Sequence, residues 1–309
     1  MRDDRTARLA IAGILMSATS WGLVWYPYRW LGDMGMPGMV STMITYLLTL
    51  LAGLPWLPGH WRNIRANGRI WLVLAILSGW TNSAYVLAVM HGEVMRVVLL
   101  FYLAPLWTVL FARLLLGERL TLSGYRILLL SFCGALVMLW QPGGRWPLPA
   151  SMAEWLGLSA GMGFAFTNVL SRRMEGISIP AKSLAIWLGG VAVPALWMLA
   201  FPALAHVSMH GNSGLVAAEI VAVTASMFAV TWLMQYGLAH VAANRAIVVL
   251  LFELVVSALS SWWLAGETLV GKEWVGAAMI MAASLFSEQM EQYSHDPDST
   301  GASRLPAGK

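Results

Sequence analysis

Residues 91–120 read HGEVMRVVLLFYLAPLWTVLFARLLLGERL, and residues 240–269 read HVAANRAIVVLLFELVVSALSSWWLAGETL. Laid one over the other at an offset of 149 (240 − 91), His91 falls on His240, Arg96 on Arg245, Leu110 on Leu259 and Leu115 on Leu264. Gly117-Glu118 falls on Gly266-Glu267, and Leu120 on Leu269. Between these points the apolar residues track without a gap. A looser earlier match sets Trp21-Gly22 over Phe164-Ala165 and Arg29 over Arg172. The chain therefore reads as a duplication of one unit.

The composition decides where that unit lives. Of 309 residues, 59% are hydrophobic and 11% are charged, against roughly 25% charged in a soluble domain. The mean hydropathy is +0.68. With 19 basic and 15 acidic residues, 34 charges cannot cover a 33.8 kDa globule. This excludes an ordinary cytosolic enzyme, a disordered chain and a nucleic-acid binder with a basic groove. It points to a polytopic protein whose main partner is the lipid bilayer. Hydrophobic segments run over 9–31, 37–57, 70–90, 95–116, 120–140, 152–170, 183–204, 214–238, 245–265 and 274–287. A span needs ~20 apolar residues, so ten spans are expected. The segment 289–309 is polar and reads as a flexible tail. The basic start (Arg2, Arg5, Arg8) resembles a secretory signal, but the run after it is long and ends in Trp25, Tyr26, Tyr28 and Trp30. It is expected to be a retained span. The single cysteine, Cys133, excludes a disulfide framework or a thiolate metal cluster.

Lys and Arg set the orientation. With ten spans, one side receives Arg2, Arg5, Arg8, Arg62, Arg65, Arg69, Arg113, Arg119, Arg126, Arg172, Arg173, Lys182, Arg245, Arg304 and Lys309, fifteen in all. The other receives four: Arg29, Arg96, Arg145 and Lys272. Both termini are thus expected in the cytoplasm. Five spans per repeat is an odd number, so the second repeat enters the membrane from the opposite side. Arg96 sorts outside while its counterpart Arg245 sorts inside, as that requires. The expected organisation is a cytoplasmic start at 1–8, a five-helix repeat at 9–140, an external linker at 141–151, a second repeat at 152–287 and a cytoplasmic tail at 288–309. Inverted repeats of this kind mark secondary transporters.

These features resemble the drug/metabolite transporter superfamily, in its ten-span branch with duplicated five-span domains. Trp21-Gly22, Pro105, Leu115-Leu116-Gly117-Glu118, Ala165, Asn168-Val169-Leu170, Glu253 and Leu264-Ala265-Gly266-Glu267 carry the resemblance, over nearly the whole chain. Where the family's second repeat has a Glu-Pro pair, this chain has Glu253-Leu254, which leaves a kink there without its proline. Within the superfamily the chain is similar to bacterial aromatic amino acid exporters, on Arg96 to Pro105 (RVVLLFYLAP) and the aromatic central spans. The resemblance implies export of aromatic and other neutral amino acids across the bacterial inner membrane. It also implies a midplane cavity enclosed by spans 1, 3, 4, 6, 8 and 9, with spans 5 and 10 outside.

Glu253 is the carboxylate deepest in a span. An ionisable group there is costly and faces a cavity or a partner. It would bind a substrate amine or carry a proton; the plainer reading is a bond to a neighbouring helix. Polar stripes at steps of three and four occur in span 3 (Ser78, Asn82, Tyr85), span 6 (Thr167, Asn168, Ser171), span 8 (Thr224, Thr231, Gln235) and span 9 (Glu253, Ser257, Ser261). Lipid offers no hydrogen bonds, so the stripes face inward. They would line the cavity or join helices. Trp21, Trp80 and Trp107 lie near mid-span, with Tyr102 close by, as cavity walls or as packing. The expected cavity contacts are Trp21, Ser78, Trp80, Asn82, Tyr85, Tyr102, Asn168, Thr231, Gln235 and Glu253, with Pro105 as a hinge.

Gly157 to Gly161 (GLSAG) matches both a small-xxx-small packing stripe and a serine-hydrolase elbow around Ser159. With no strand-to-helix turn and no histidine at that depth, packing is the expected reading. His206 and His210 are four apart but lack a third ligand, so no metal is expected. There is no nucleotide-binding Gly-Lys loop. The expectation is a carrier with no cofactor and no catalytic residue. Its cargo is amino acids, with drugs or other small metabolites as the alternative. Proton coupling through Glu253 and passive flow fit the sequence equally.

Overall fold

A computed structural model describes residues 2–91, 97, 100–118, 120–140, 149, 151–210, 212–264 and 271–286. Arg96, Gly266-Glu267, most of the 141–151 linker and the tail lie outside the described residues. What is described is helical: α1 (Arg2–Leu23), α2 (Trp25–Asp33), α3 (Gly38–Gly53), α4 (Leu57–Ala66), α5 (Gly68–His91), α6 (Ala104–Leu116), α7 (Leu122–Leu139), α8 (Met152–Arg173), α9 (Ile179–Ala200), α10 (Ser213–His240), α11 (Ala243–Leu250), α12 (Phe252–Leu264) and α13 (Gly271–Leu285). By length and composition, six helical stretches can cross a membrane, and three shorter apolar helices join them. The 22-residue α8 is less apolar because it carries Glu154, Arg172 and Arg173.

Helix falls on each hydrophobic segment, with differences that have local causes. The first segment is two helices: Pro27 has no N–H for the Leu23 carbonyl, so the chain breaks at Val24 before α2. α4 was not expected from hydropathy. It opens with Pro58 in its first turn and carries Arg62 and Arg65. α9 begins at Ile179, ahead of the apolar run, so Lys182 lies inside it and is 1% exposed. Its Nζ donates to the Ser171 carbonyl at 2.7 Å, satisfying an acceptor in the last turn of α8.

The two repeats interlock. α5 packs along both α8 and α9, α1 along α10 and α12, and α3 along α9. α7 packs mainly on α13, with Ile127, Leu128 and Ala135 reaching the apolar clusters of the other helices. Small residues permit the close crossings. A Cβ on Gly189 would stand 1.8 Å from the Ala75 carbonyl oxygen of α5. One on Gly79 would stand 2.2 Å from the Gly189 oxygen. Where α7 meets α13, a Cβ on Gly134 would lie 2.9 Å from the Gly276 oxygen. Outward-facing Leu114, Leu199, Trp263 and Leu285 are among the most exposed apolar residues, as side chains turned to lipid are.

Candidate functional site

Two helices break at repeat-equivalent points. α6 starts after a turn at Tyr102-Leu103, with Pro105 in its first turn. Pro105 donates no hydrogen bond back to the Phe101 carbonyl, which accounts for that break. α11 ends and α12 begins around Leu251, and Leu251 is the residue 149 beyond Tyr102. No proline stands there. The Leu254 N–H instead donates to the Leu251 carbonyl at 3.0 Å, a tightened turn. The kink that Glu253-Leu254 left without a proline is therefore present. It sets Glu253 in the first turn of α12, where a helix N-terminus favours an acidic side chain.

Glu253 and Tyr102 are neighbours in the lining of one crevice. Aromatic rings surround the pair. The Phe101 centroid lies 5.0 Å from Tyr85, 5.5 Å from Tyr102 and 5.5 Å from Phe164. Phe101, Tyr102, Pro105, Phe164, Leu251 and Glu253 line a crevice of about 10 Å³, the room of a single water molecule. The described residues thus show a narrow crevice between the repeats. Gly22 runs past it: its carbonyl accepts from Ser257 Oγ at 3.2 Å and Ser260 Oγ at 3.3 Å. A Cβ on Gly22 would stand 2.8 Å from the Glu253 carbonyl oxygen.

The other expected contacts fall elsewhere. Asn82 donates to the Ser78 carbonyl at 3.0 Å and lies beside Tyr46, while the Ser78 hydroxyl donates to the Ala75 carbonyl. Trp21 packs against the apolar cluster that contains Tyr46 and Trp187. Trp80 donates to Ser159 Oγ at 3.3 Å and lies 6.0 Å from the Trp197 ring. Gln235 Oε1 accepts from Ser171 Oγ, beside Lys182. Thr231 and Asn168 are buried, and Asn168 Nδ2 has no partner. The structure therefore gathers Tyr85, Tyr102, Pro105 and Glu253, and distributes the rest among helix contacts. Phe101 and Phe164 belong to the central group but were missed from sequence. Their signal was weak: Phe164 is the repeat counterpart of Trp21, and Phe101 precedes Tyr102.

The Ser159 hydroxyl donates to the Leu156 carbonyl at 2.9 Å, within its own helix. Gly157 and Gly161 press on the chain at Val97 and Phe101, where a Cβ on Gly161 would stand 2.3 Å from the Phe101 carbonyl oxygen. The GLSAG stretch is a packing stripe. Among the described residues no three His, Cys, Asp or Glu side chains could share a metal ion.

Comparison with known proteins places this arrangement. The model of the EamA-like transporter family matches residues 8–140 and again 151–288, one match per repeat. A protein from Archaeoglobus fulgidus named an uncharacterized transporter is 26% identical over 284 residues, covering 92% of this chain and 97% of its own. One from Rhizobium johnstonii named a riboflavin transporter is 24% identical over 294 residues, covering 90% of this chain and 88% of its own. A solved crystal structure shares the fold with a TM-score of 0.70 at 18% identity, covering 91% of this chain and 98% of that one. The relatives are named as transporters rather than enzymes, and the apolar helices make this a multi-pass membrane protein. With both repeats matched, the chain belongs to the EamA-like transporter family, within the drug/metabolite transporter superfamily.

Proposed function

We propose that the protein exports amino acids, aromatic and other neutral ones, from the cytoplasm across the bacterial inner membrane. Ten spans cross the bilayer as two inverted five-helix repeats, with α1–α2 and α11–α12 each forming one span. Both termini are cytoplasmic, a reading supported by the sorting of fifteen basic residues to one side and four to the other. The observation that carries the proposal is the pair of breaks at Tyr102 and Leu251, with Glu253 at a half-helix N-terminus between the repeats. Broken helices at a repeat interface are where secondary transporters hold their cargo. Glu253 faces the cargo amine or carries a proton, Tyr102 positions it, and Tyr85, Phe101 and Phe164 supply the aromatic wall. The 10 Å³ crevice widens as one repeat rocks against the other.

A second reading is supported by the relative named a riboflavin transporter: a drug or other small metabolite as cargo, met by the same aromatic wall. Purified protein sealed in liposomes decides between them. Labelled tryptophan should enter against unlabelled tryptophan inside, above empty vesicles. No entry with tryptophan, phenylalanine or tyrosine, from protein shown to be folded, overturns the amino acid reading.

A further inference from the structure

Glu118 follows Gly117 at the end of α6. Gly117 is left-handed (φ 71°), and the Glu118 N–H donates to the Ala112 carbonyl at 3.3 Å, so this helix stop fixes where the glutamate points. It points across the repeat interface at the start of α11. The Ala243 N–H donates to Oε1 at 3.2 Å, the Asn244 N–H to Oε2 at 3.5 Å, and Asn244 Nδ2 to Oε2 at 3.0 Å. α11 begins after Ala242, which supplies no side-chain cap. Its cap is supplied by the other repeat, and a carboxylate on a helix N-terminus is favoured by the dipole.

All eight residues of α11 are buried, and about 12 Å of helix separates this cap from the Leu251 break that seats Glu253. Glu118 also borders an open cleft of about 270 Å³, shared with Val109, Arg113 and Tyr125. Among the described residues, Thr108 Oγ1 on α6, Asn168 Nδ2 on α8 and Asn244 Oδ1 on α11 are buried without partners. Polar atoms held dry along three mutually packed helices are suited to a contact that water periodically enters.

We propose that Glu118 is the latch of the cytoplasmic gate and that α11 is the lever coupling it to Glu253. Closing α11 onto Glu118 seals the path from the cytoplasm. Movement at the Leu251 break pulls Ala243 and Asn244 off the carboxylate, and water takes up the spare atoms of Thr108, Asn168 and Asn244. The proposal rests on the carrier reading and its topology, but its test needs no cargo, so a failed transport assay leaves the latch standing.

The test places a single reporter, Thr108→Cys, in a Cys133→Ser background. Its reaction with a membrane-impermeant maleimide is timed in inside-out and in right-side-out vesicles. Glu118→Ala should raise the rate at the cytoplasmic face by roughly tenfold or more, as expected when charge-assisted hydrogen bonds holding a closed state are lost. Asn244→Ala removes one of the three bonds and should give a smaller rise; it carries the test alone if Glu118→Ala fails to fold. Unchanged rates in folded variants, or a rise only from the external face, overturn the latch.

Discussion

Tyr102 of the first repeat and Glu253 of the second meet in the lining of one narrow crevice. Each residue stands at the break of its own helix. An acidic group within a span needs such a partner, and here the partner comes from the other half of the duplication. The pair therefore reports on the relative position of the halves as well as on whatever occupies the crevice.

Glu253→Gln and Tyr102→Phe should each lower the rate of counterflow by about tenfold or more, a loss of ~1.4 kcal/mol or greater. Folded yield should stay near wild type, since both replacements keep the shape of the side chain. Transport at the normal rate by both variants would show that the site lies elsewhere.

Pro105→Ala returns an N–H opposite the Phe101 carbonyl and favours a continuous helix through 101–104. Thermal stability in detergent should hold or rise slightly while counterflow slows several-fold, because the break is needed for movement. Unimpaired counterflow would assign Pro105 a static role.

Gly189→Val tests the closest helix crossing. Its Cβ has no space beside the Ala75 carbonyl oxygen, 1.8 Å away. Overpacking of this kind costs typically ~1–3 kcal/mol, so the melting temperature and the folded yield should both fall. A variant with an unchanged melting curve would contradict the tight α5–α9 contact.

Gly35→Ala addresses the loop between α2 and α3. The Ser208 N–H donates to the Gly35 carbonyl at 3.0 Å and the His210 N–H to the Met34 carbonyl at 2.9 Å, tying the two repeats at this end. Gly35 has φ 84°, and its Cβ would meet the Ser208 oxygen at 1.6 Å. Breaking this tie should expose a cysteine introduced at Met36, which is 8% exposed in the tied loop, to impermeant thiol reagents. Equal labelling with and without the substitution would show that the tie does not hold the loops together.

Lys182→Met keeps most of the side-chain volume but leaves the Ser171 carbonyl without its donor. The expected cost is about 1–3 kcal/mol of stability, the penalty of an unpaired buried polar group. It is read as a lower melting temperature, with residual counterflow scaling with the folded fraction. An unchanged melting temperature would make this buried bond unimportant.

Much of this protein is legible along the chain. Composition alone requires a lipid environment, because 34 charges cannot clothe a chain this apolar in water. The duplication is visible as an offset of 149 (240 − 91), since each copy must present similar faces to its neighbours. Among the described residues, helix placement follows hydropathy apart from α4, because in lipid a backbone bonds to itself or not at all. Pro105 marks a break through chemistry that acts within one turn, whereas the break before Pro27 went unread inside an apolar run. Glu253 stands out because so few carboxylates occur inside an apolar run.

The grouping of side chains was not legible in the same way. Ser78, Asn82, Gln235 and Glu253 all read as inward-facing polar residues, and periodicity gives each a face but not the helix it meets. Tertiary packing sends Asn82 to Tyr46, Gln235 to Ser171 and Glu253 to Tyr102. The break at Leu251 has no proline to announce it, and Gly117-Glu118 in sequence is only a small residue before a charged one. Folding turns that pair into a left-handed stop that aims a carboxylate at a helix start 125 residues away (243 − 118). Such contacts depend on how helices distant in the chain cross, and crossing is decided by the whole packed surface rather than by any local stretch of residues.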